Sequence, residues 1–274
     1  PLFNDSAHGI AAEPAQLFAY GARVLDYKPP AGQVGPVRID LPDSGYFGYR
    51  CGGDSLIIDC GSIGPAYQPG HAHCDTLSYV LNIDGAPLVI DSGVRGYEND
   101  SLRQYVRSTA AHNTVRIAGE EQSEIWGTFR VARRAVATVN QFTGPDNGKL
   151  EFSGAHDGYI RLPSRCEHQR HFSVDVSGRW KIADRITGTG RVIASSFVHF
   201  HPDIALSPAS DGAWQLIKNG AAVARLSVAK GSDAVESSSY YCPEFGSAIE
   251  NACLEVRVSG DLPLEIGYEI VKIA

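Results

Sequence analysis

The hydrophobic rhythm of the chain changes near residue 37. Beyond that point apolar and polar positions alternate with a period of two over short runs. These are Tyr46–Arg50, Leu56–Cys60, Leu77–Ile83, Leu88–Asp91, Asn113–Ile117, Val131–Val139, Arg191–Phe200, Val223–Val228, Leu254–Val258 and Glu265–Ile273. Glycine, proline, aspartate or asparagine stands near their ends, so each run predicts a strand. Asp84-Gly85 has the composition of a tight hairpin turn. No helical period separates the runs. Strands joined by turns predict an all-β fold of antiparallel sheets, and their large number favours a sandwich over a barrel.

The first thirty residues have another pattern. Glu13-Pro14 precedes Leu17, Phe18, Gly21, Ala22 and Leu25, which is the spacing of a short amphipathic helix with proline in its first turn. Pro29-Pro30 is expected to end it. One such helix cannot bury its own apolar face, so it must pack on the β domain or belong to a helical domain upstream. The predicted division is a helical segment over 1–30 and one β domain over 31–274.

Composition narrows the function classes. A chain of 274 residues can bury a substantial core. No apolar run approaches the roughly 18 residues of a membrane-spanning helix. A net charge of −7 argues against nucleic acid as a partner. The chain starts at Pro1 and contains no Met, which reads as a piece or processed form of something longer. The lack of a leader at its start therefore excludes no compartment. Six scattered cysteines without a CxxC pair predict isolated buried thiols. Cys242 and Cys253 are the one pair that could face each other across a hairpin.

The chemistry concentrates in Gly70-His71-Ala72-His73-Cys74-Asp75, in Asp91, and in Arg107-Ser108-Thr109-Ala110-Ala111-His112-Asn113. Read as a strand, His71, His73 and Asp75 share a face that continues through Leu77, Tyr79, Leu81 and Ile83. The entrance of such a core-facing strip suits a metal site or a general base. On spacing alone, a set of buried polar side chains satisfied by hydrogen bonds is the more ordinary outcome. His199 and His201 repeat the spacing without a third ligand. No P-loop, nucleophile elbow or dinucleotide fingerprint is present.

Three blocks in order, Pro69–Ser78, Gly85–Gly93 and Arg107–Val115, resemble the C-terminal module of the heparinase II/III-like family. Gln122, Trp126-Gly127 and Phe129-Arg130 extend the likeness; His156–Tyr159 and Phe200–Pro202 do so more loosely. Leu2-Phe3-Asn4-Asp5 resembles the end of that family's helical toroid. The resemblance implies a polysaccharide lyase in which an α/α toroid domain precedes an antiparallel β-sandwich. Its substrate would be a uronic-acid-containing polysaccharide such as heparin, heparan sulfate or alginate, met in the periplasm or after secretion.

The same resemblance implies that His71 is catalytic, and that His73, Asp91 and His112 hold zinc. Imidazole and carboxylate are ordinary zinc donors, and three of them leave one tetrahedral position open. A structural role for the metal is favoured, because elimination needs no metal-bound hydroxide. Tyr97 falls where the family carries a second catalytic group, with Tyr105 as its rival. Arg107 could grip a uronate carboxylate through paired hydrogen bonds, or form an ion pair with Asp100. Trp126 could stack on a sugar ring or pack in the core. The family's remaining catalytic residues lie on the toroid and have no counterpart here. The alternatives are a non-catalytic carbohydrate-binding or scaffold sandwich, and a zinc-dependent hydrolase.

Overall fold

Strict alternation builds the layers. Along Arg179–Thr187 the buried residues are Trp180, Ile182, Asp184 and Ile186, so one face packs inward and the other meets solvent. A computed structural model describes residues 2–28, 35–145 and 147–273. Eight strands form one layer, ordered Ile204–Pro208, Trp214–Lys218, Ala221–Val228, Leu264–Lys272, Arg179–Thr187, Glu167–Asp175, Lys149–His156 and Ala137–Thr143. The facing layer contains a five-stranded meander running from Val37–Leu41 to Ala86–Val89. Beside it lie four strands in the order Asp233–Tyr241, Ile249–Asp261, Arg191–His199 and Val115–Ile117. The two sheets meet where Ile90 N donates to His199 O at 2.9 Å and His201 N to Leu88 O at 3.0 Å.

The layers lock through specific partners. Trp180 Nε1 donates to Tyr49 Oη at 2.7 Å, and the Phe47 and Phe152 rings lie 5.3 Å apart. One buried apolar cluster runs through all three sheets. The protein is therefore the antiparallel β-sandwich predicted. Asp84 and Gly85 take positive φ values of 52° and 77° in the hairpin between Tyr79–Ile83 and Ala86–Val89, as such a turn requires.

The structure departs from expectation in several places, and it adds strands to the ten runs read from the sequence. The run Val131–Val139 is two elements: Arg130–Val131 pairs with Ile125–Trp126 in a separate ribbon, and Ala137–Thr143 is an edge strand. A helix, Ser101–Arg107, does interrupt the strands, capped by Asp100, whose Oδ1 accepts the Arg103 N–H at 2.8 Å. Cys253 stands opposite Ser237 and Cys242 bridges to Gly93, so these two cysteines do not face each other, and all six thiols are free. The expected helix forms over Pro14–Leu25 with a Glu13–Gln16 capping box, yet buries none of its residues. It therefore does not pack on the sandwich, and Leu17, Phe18 and Leu25 stay exposed. Pro29-Pro30, expected to end it, lies outside the described residues. No described helix is long and apolar enough to cross a membrane.

Candidate active site

The histidine pair does not sit on a strand. Pro69–His71 is a single 3-10 turn, Leu77 adopts a left-handed φ of 63°, and the strand begins only at Tyr79. Alternation therefore does not apply: the His71 side chain is 58% exposed whereas those of His73 and Asp75 are buried. The loop is held by backbone partners instead. Cys74 N donates to Arg107 O at 2.9 Å, and Arg107 Nε donates back to Ala72 O at 3.2 Å. Thr114 Oγ1 and Gln122 Nε2 both donate to Thr76 O, at 2.7 and 3.0 Å. Asn113 Nδ2 donates to Tyr79 O at 2.8 Å and to Ile90 O at 2.7 Å, tying the segments that carry His112, Asp91 and the histidine loop.

What brings the two histidines together is Asp5, on the segment preceding the helix. Its Oδ2 lies 2.9 Å from His71 Nδ1, its Oδ1 lies 2.8 Å from His73 Nε2, and Arg103 donates to both oxygens. Burial alone would raise the Asp5 carboxyl, but hydrogen bonds from His73 and Arg103 override it and hold the group well below the usual carboxylate range. Tyr97 Oη stands 3.4 Å from His71 Nδ1, and its ring packs 5.6 Å from the imidazole and 5.3 Å from Phe129. Burial and the Asp5 charge raise the Tyr97 phenol, so it stays protonated near neutrality. His71 and Tyr97 thus share one half-exposed cluster.

Beneath it lies a buried polar pocket. His112 Nδ1 sits 2.6 Å from Asp91 Oδ2, and the His73 and His112 ring centroids are 5.2 Å apart. Burial pushes His73 down to about 4, keeping it neutral. An ionised Asp5 only accepts, so His73 Nε2 carries the proton and Nδ1 presents a bare lone pair. That Nδ1, His112 Nε2 and Asp75 Oδ2 are all buried without a hydrogen-bond partner. Burial lowers His112 in principle, yet Asp91 overrides it and pushes the group up to about 9. Burial, reinforced by neighbouring carboxylates, raises Asp59 to about 7 and raises Asp75 as well.

Orphaned nitrogens beside crowded carboxylates are what a divalent cation would satisfy. The residues fit zinc in donor chemistry. As positioned, no three of the described His, Cys, Asp or Glu residues close into a metal-binding cluster.

The other expected residues have different surroundings. Arg107 is fully buried, and its guanidinium donates to the carbonyls of Ala72, Gly127 and Arg130, so it cannot reach a uronate. Neither does it pair with Asp100, which bonds to Arg95. Trp126 is 49% exposed on the small ribbon rather than packed in the core. Tyr105 Oη is 2.8 Å from Ser239 Oγ. Asp5, Arg103 and Phe129 complete the cluster; Asp5 and Phe129 fall in stretches that resemble the family, but local spacing gives none of the three a role. His199 is satisfied by Ser239 Oγ at 2.9 Å and Ala110 O at 3.0 Å, which accounts for it without a metal.

Known structures share this architecture. The heparan sulfate lyase HepC from Pedobacter heparinus superposes with a TM-score of 0.77 at 16% identity, over 99% of this chain and 43% of that one. The heparinase III-BT4657 gene product gives 0.71 at 15% identity, over 99% and 43%. The chain thus spans less than half the length of these proteins, and at such identity the likeness shows the fold alone. No curated protein sequence matches. A family model described as "Heparinase II/III-like, C-terminal" matches residues 34–269. With most of its length inside that match, the chain belongs to the heparinase II/III-like, C-terminal family.

Proposed function

We propose that the complete protein is a polysaccharide lyase that cleaves a uronic-acid-containing chain by β-elimination. In it an α/α toroid stands ahead of this sandwich, the Pro14–Leu25 helix being the end of the helical part. The observation that carries this proposal is the His71–Tyr97 pair. His71 is anchored to Asp5 through Nδ1 and exposes the rest of its ring beside a protonated phenol.

Elimination needs a base for the C5 proton and an acid for the leaving oxygen. His71 Nε2 takes the proton from C5. The electron pair left behind forms the C4=C5 double bond, the C4–O bond breaks toward the leaving oxygen, and that oxygen takes the Tyr97 proton. Neutralisation of the uronate carboxylate, for which Arg107 is committed elsewhere, falls to the toroid. Trp126 offers an exposed face on which a sugar ring can stack.

His73 Nδ1, His112 Nε2 and Asp91 would hold zinc. When bound, it would neutralise the crowded carboxylates and clamp three loop segments together. Protein purified without added metal is expected to carry about one zinc per chain. Chelation is expected to lower its melting temperature, because metal binding and folding are coupled. Elemental analysis showing a trace only, with an unchanged melting curve after chelation, removes the zinc assignment.

For activity, the expected result is an unsaturated uronate product that absorbs ultraviolet light, formed by the periplasmic or secreted fraction of a producing cell. Cleavage without such a product would indicate a hydrolase, and intact polymer a binding module. A protein confined to the cytosol would overturn the proposed location.

A further inference from the structure

We propose that Asp5 is the positioning residue of this site, one carboxylate selecting opposite ring nitrogens in His71 and His73. The inference deepens the lyase reading and rests on it only for its catalytic consequence. Asp5 lies outside every strand of the sandwich, on the segment that opens the chain. Its side chain is nevertheless 2% exposed. A carboxylate has about four lone-pair directions, and here all four are occupied: one hydrogen bond from each histidine and two from Arg103.

The charge balance of this arrangement rests on Arg103 rather than on the two rings. Arg103 is as buried as Asp5, with its side chain 1% exposed. Its Nε also donates to Thr128 O at 3.2 Å, and its guanidinium carbon lies 5.2 Å from the Tyr97 ring centroid. One buried cation thus answers one buried anion. Asp5 needs no proton from either imidazole and serves both as an acceptor only.

The geometry at the two rings is opposite. Asp5 accepts from Nδ1 of His71, so the proton sits there and Nε2 is left with a free lone pair, on a ring largely exposed. Asp5 accepts from Nε2 of His73, so Nδ1 is the bare nitrogen, and it is buried in the pocket beside His112. Carboxylates commonly fix the tautomer of a metal-facing histidine in this way. Here the same carboxylate does so for the histidine facing the cleft. The neighbouring residue secures the backbone as well: Asn4 Oδ1 accepts the His73 N–H at 2.9 Å.

The test reads tautomers directly. Side-chain spectra of 15N-histidine-labelled protein at roughly pH 8.5, well above an ordinary imidazole midpoint, should show His71 as the single Nδ1–H form. Its signals are assigned by their loss in His71→Ala. Asp5→Asn offers one acceptor oxygen in place of two and should leave His71 averaging between both forms. In the complete protein, kcat should fall roughly 10- to 100-fold, the range for such orienting partners, with little change in KM. Asp5→Glu keeps two oxygens and the charge, and should recover part of the single-form signal.

A wild-type His71 protonated at Nε2 overturns the proposal, whether or not Asp5→Asn folds. So does an unchanged His71 spectrum in a folded Asp5→Asn protein. The spectrum does not depend on turnover. Loss of the lyase reading with the expected spectrum would remove the function and leave the positioning by Asp5 in place.

Discussion

Replacing His71 with alanine in the complete protein is expected to lower the proposed lyase turnover by roughly 100-fold or more, the scale of general acid–base groups. Melting temperature and the zinc content proposed above should stay close to wild type. The reason is placement: the His71 side chain is 58% exposed and makes one strong polar contact, to an Asp5 that keeps three others. Little packing is lost when it goes. His73→Ala, two residues away, fails differently. That ring is buried, its Nδ1 faces the pocket, and its loss removes a proposed zinc donor and one of the hydrogen bonds to Asp5. Metal, stability and activity should fall together. Zinc content, melting temperature and rate measured on both variants decide the matter. If His71→Ala lost zinc and His73→Ala kept it, the roles would be reversed. If neither altered the rate of an active enzyme, the loop would be scaffold.

The largest stability effect is expected at Asp184, far along the sequence from that loop. Asp184 accepts from Arg170 Nε at 2.6 Å, Arg170 Nη2 at 2.8 Å and His168 Nε2 at 2.7 Å, all fully buried. Asp184→Ala leaves a buried guanidinium without its counter-charge, and breaking such a pair from one side costs about 3–5 kcal/mol. Arg170 also donates to Leu77 O and Asn113 O, beside the histidine loop and His112, so the damage should reach the proposed zinc site. The pH dependence has a definite sign. Burial raises the Asp184 carboxyl, but Arg170 and His168 outweigh it and hold the folded value well below the ordinary one. The resulting stabilisation is complete above the unfolded value of about 3.9 and is lost as pH falls through the folded one. Urea denaturation should show wild-type stability declining below about pH 4 more steeply than that of Asp184→Ala. A variant within roughly 1 kcal/mol of wild type, the scale of an exposed pair, would show that this network does not support the fold.

That network also bears on two of the strands that escape a reading of the sequence. Glu167–Asp175 and Arg179–Thr187 alternate perfectly in burial, yet their inward faces carry His168, Arg170 and Asp184. A buried polar set looks like a solvated face until its partners are known. The Asp84-Gly85 hairpin and the Pro14–Leu25 helix are legible because their signals are local: a turn pair in one case, a first-turn proline and a 3.6 period in the other. The histidine loop is legible in composition but not in conformation. Two polar residues spaced by one suggest a strand face, whereas here a left-handed Leu77 and contacts to Arg107 and Asn4 shape a loop. Arg107 carries the charge of a ligand-binding residue but serves three backbone carbonyls, which only tertiary structure reveals. Asp5 stands in a segment that precedes every strand of the sandwich, so no spacing rule connects it to partners 66, 68 and 98 positions away.

The place of Asp5 matters for anyone cutting this protein into pieces. The family match begins at residue 34 and every strand lies beyond it. An expression boundary drawn there would retain both sheet layers and discard Asn4 and Asp5. Arg103 would then be a desolvated cation without its anion, His73 Nε2–H would lose its acceptor, and His71 would be free to turn about its ring axis. Such a trimmed sandwich could keep its shape while its reactive corner came apart. A boundary that keeps every strand is therefore not a boundary that keeps the His71 and His73 rings in place.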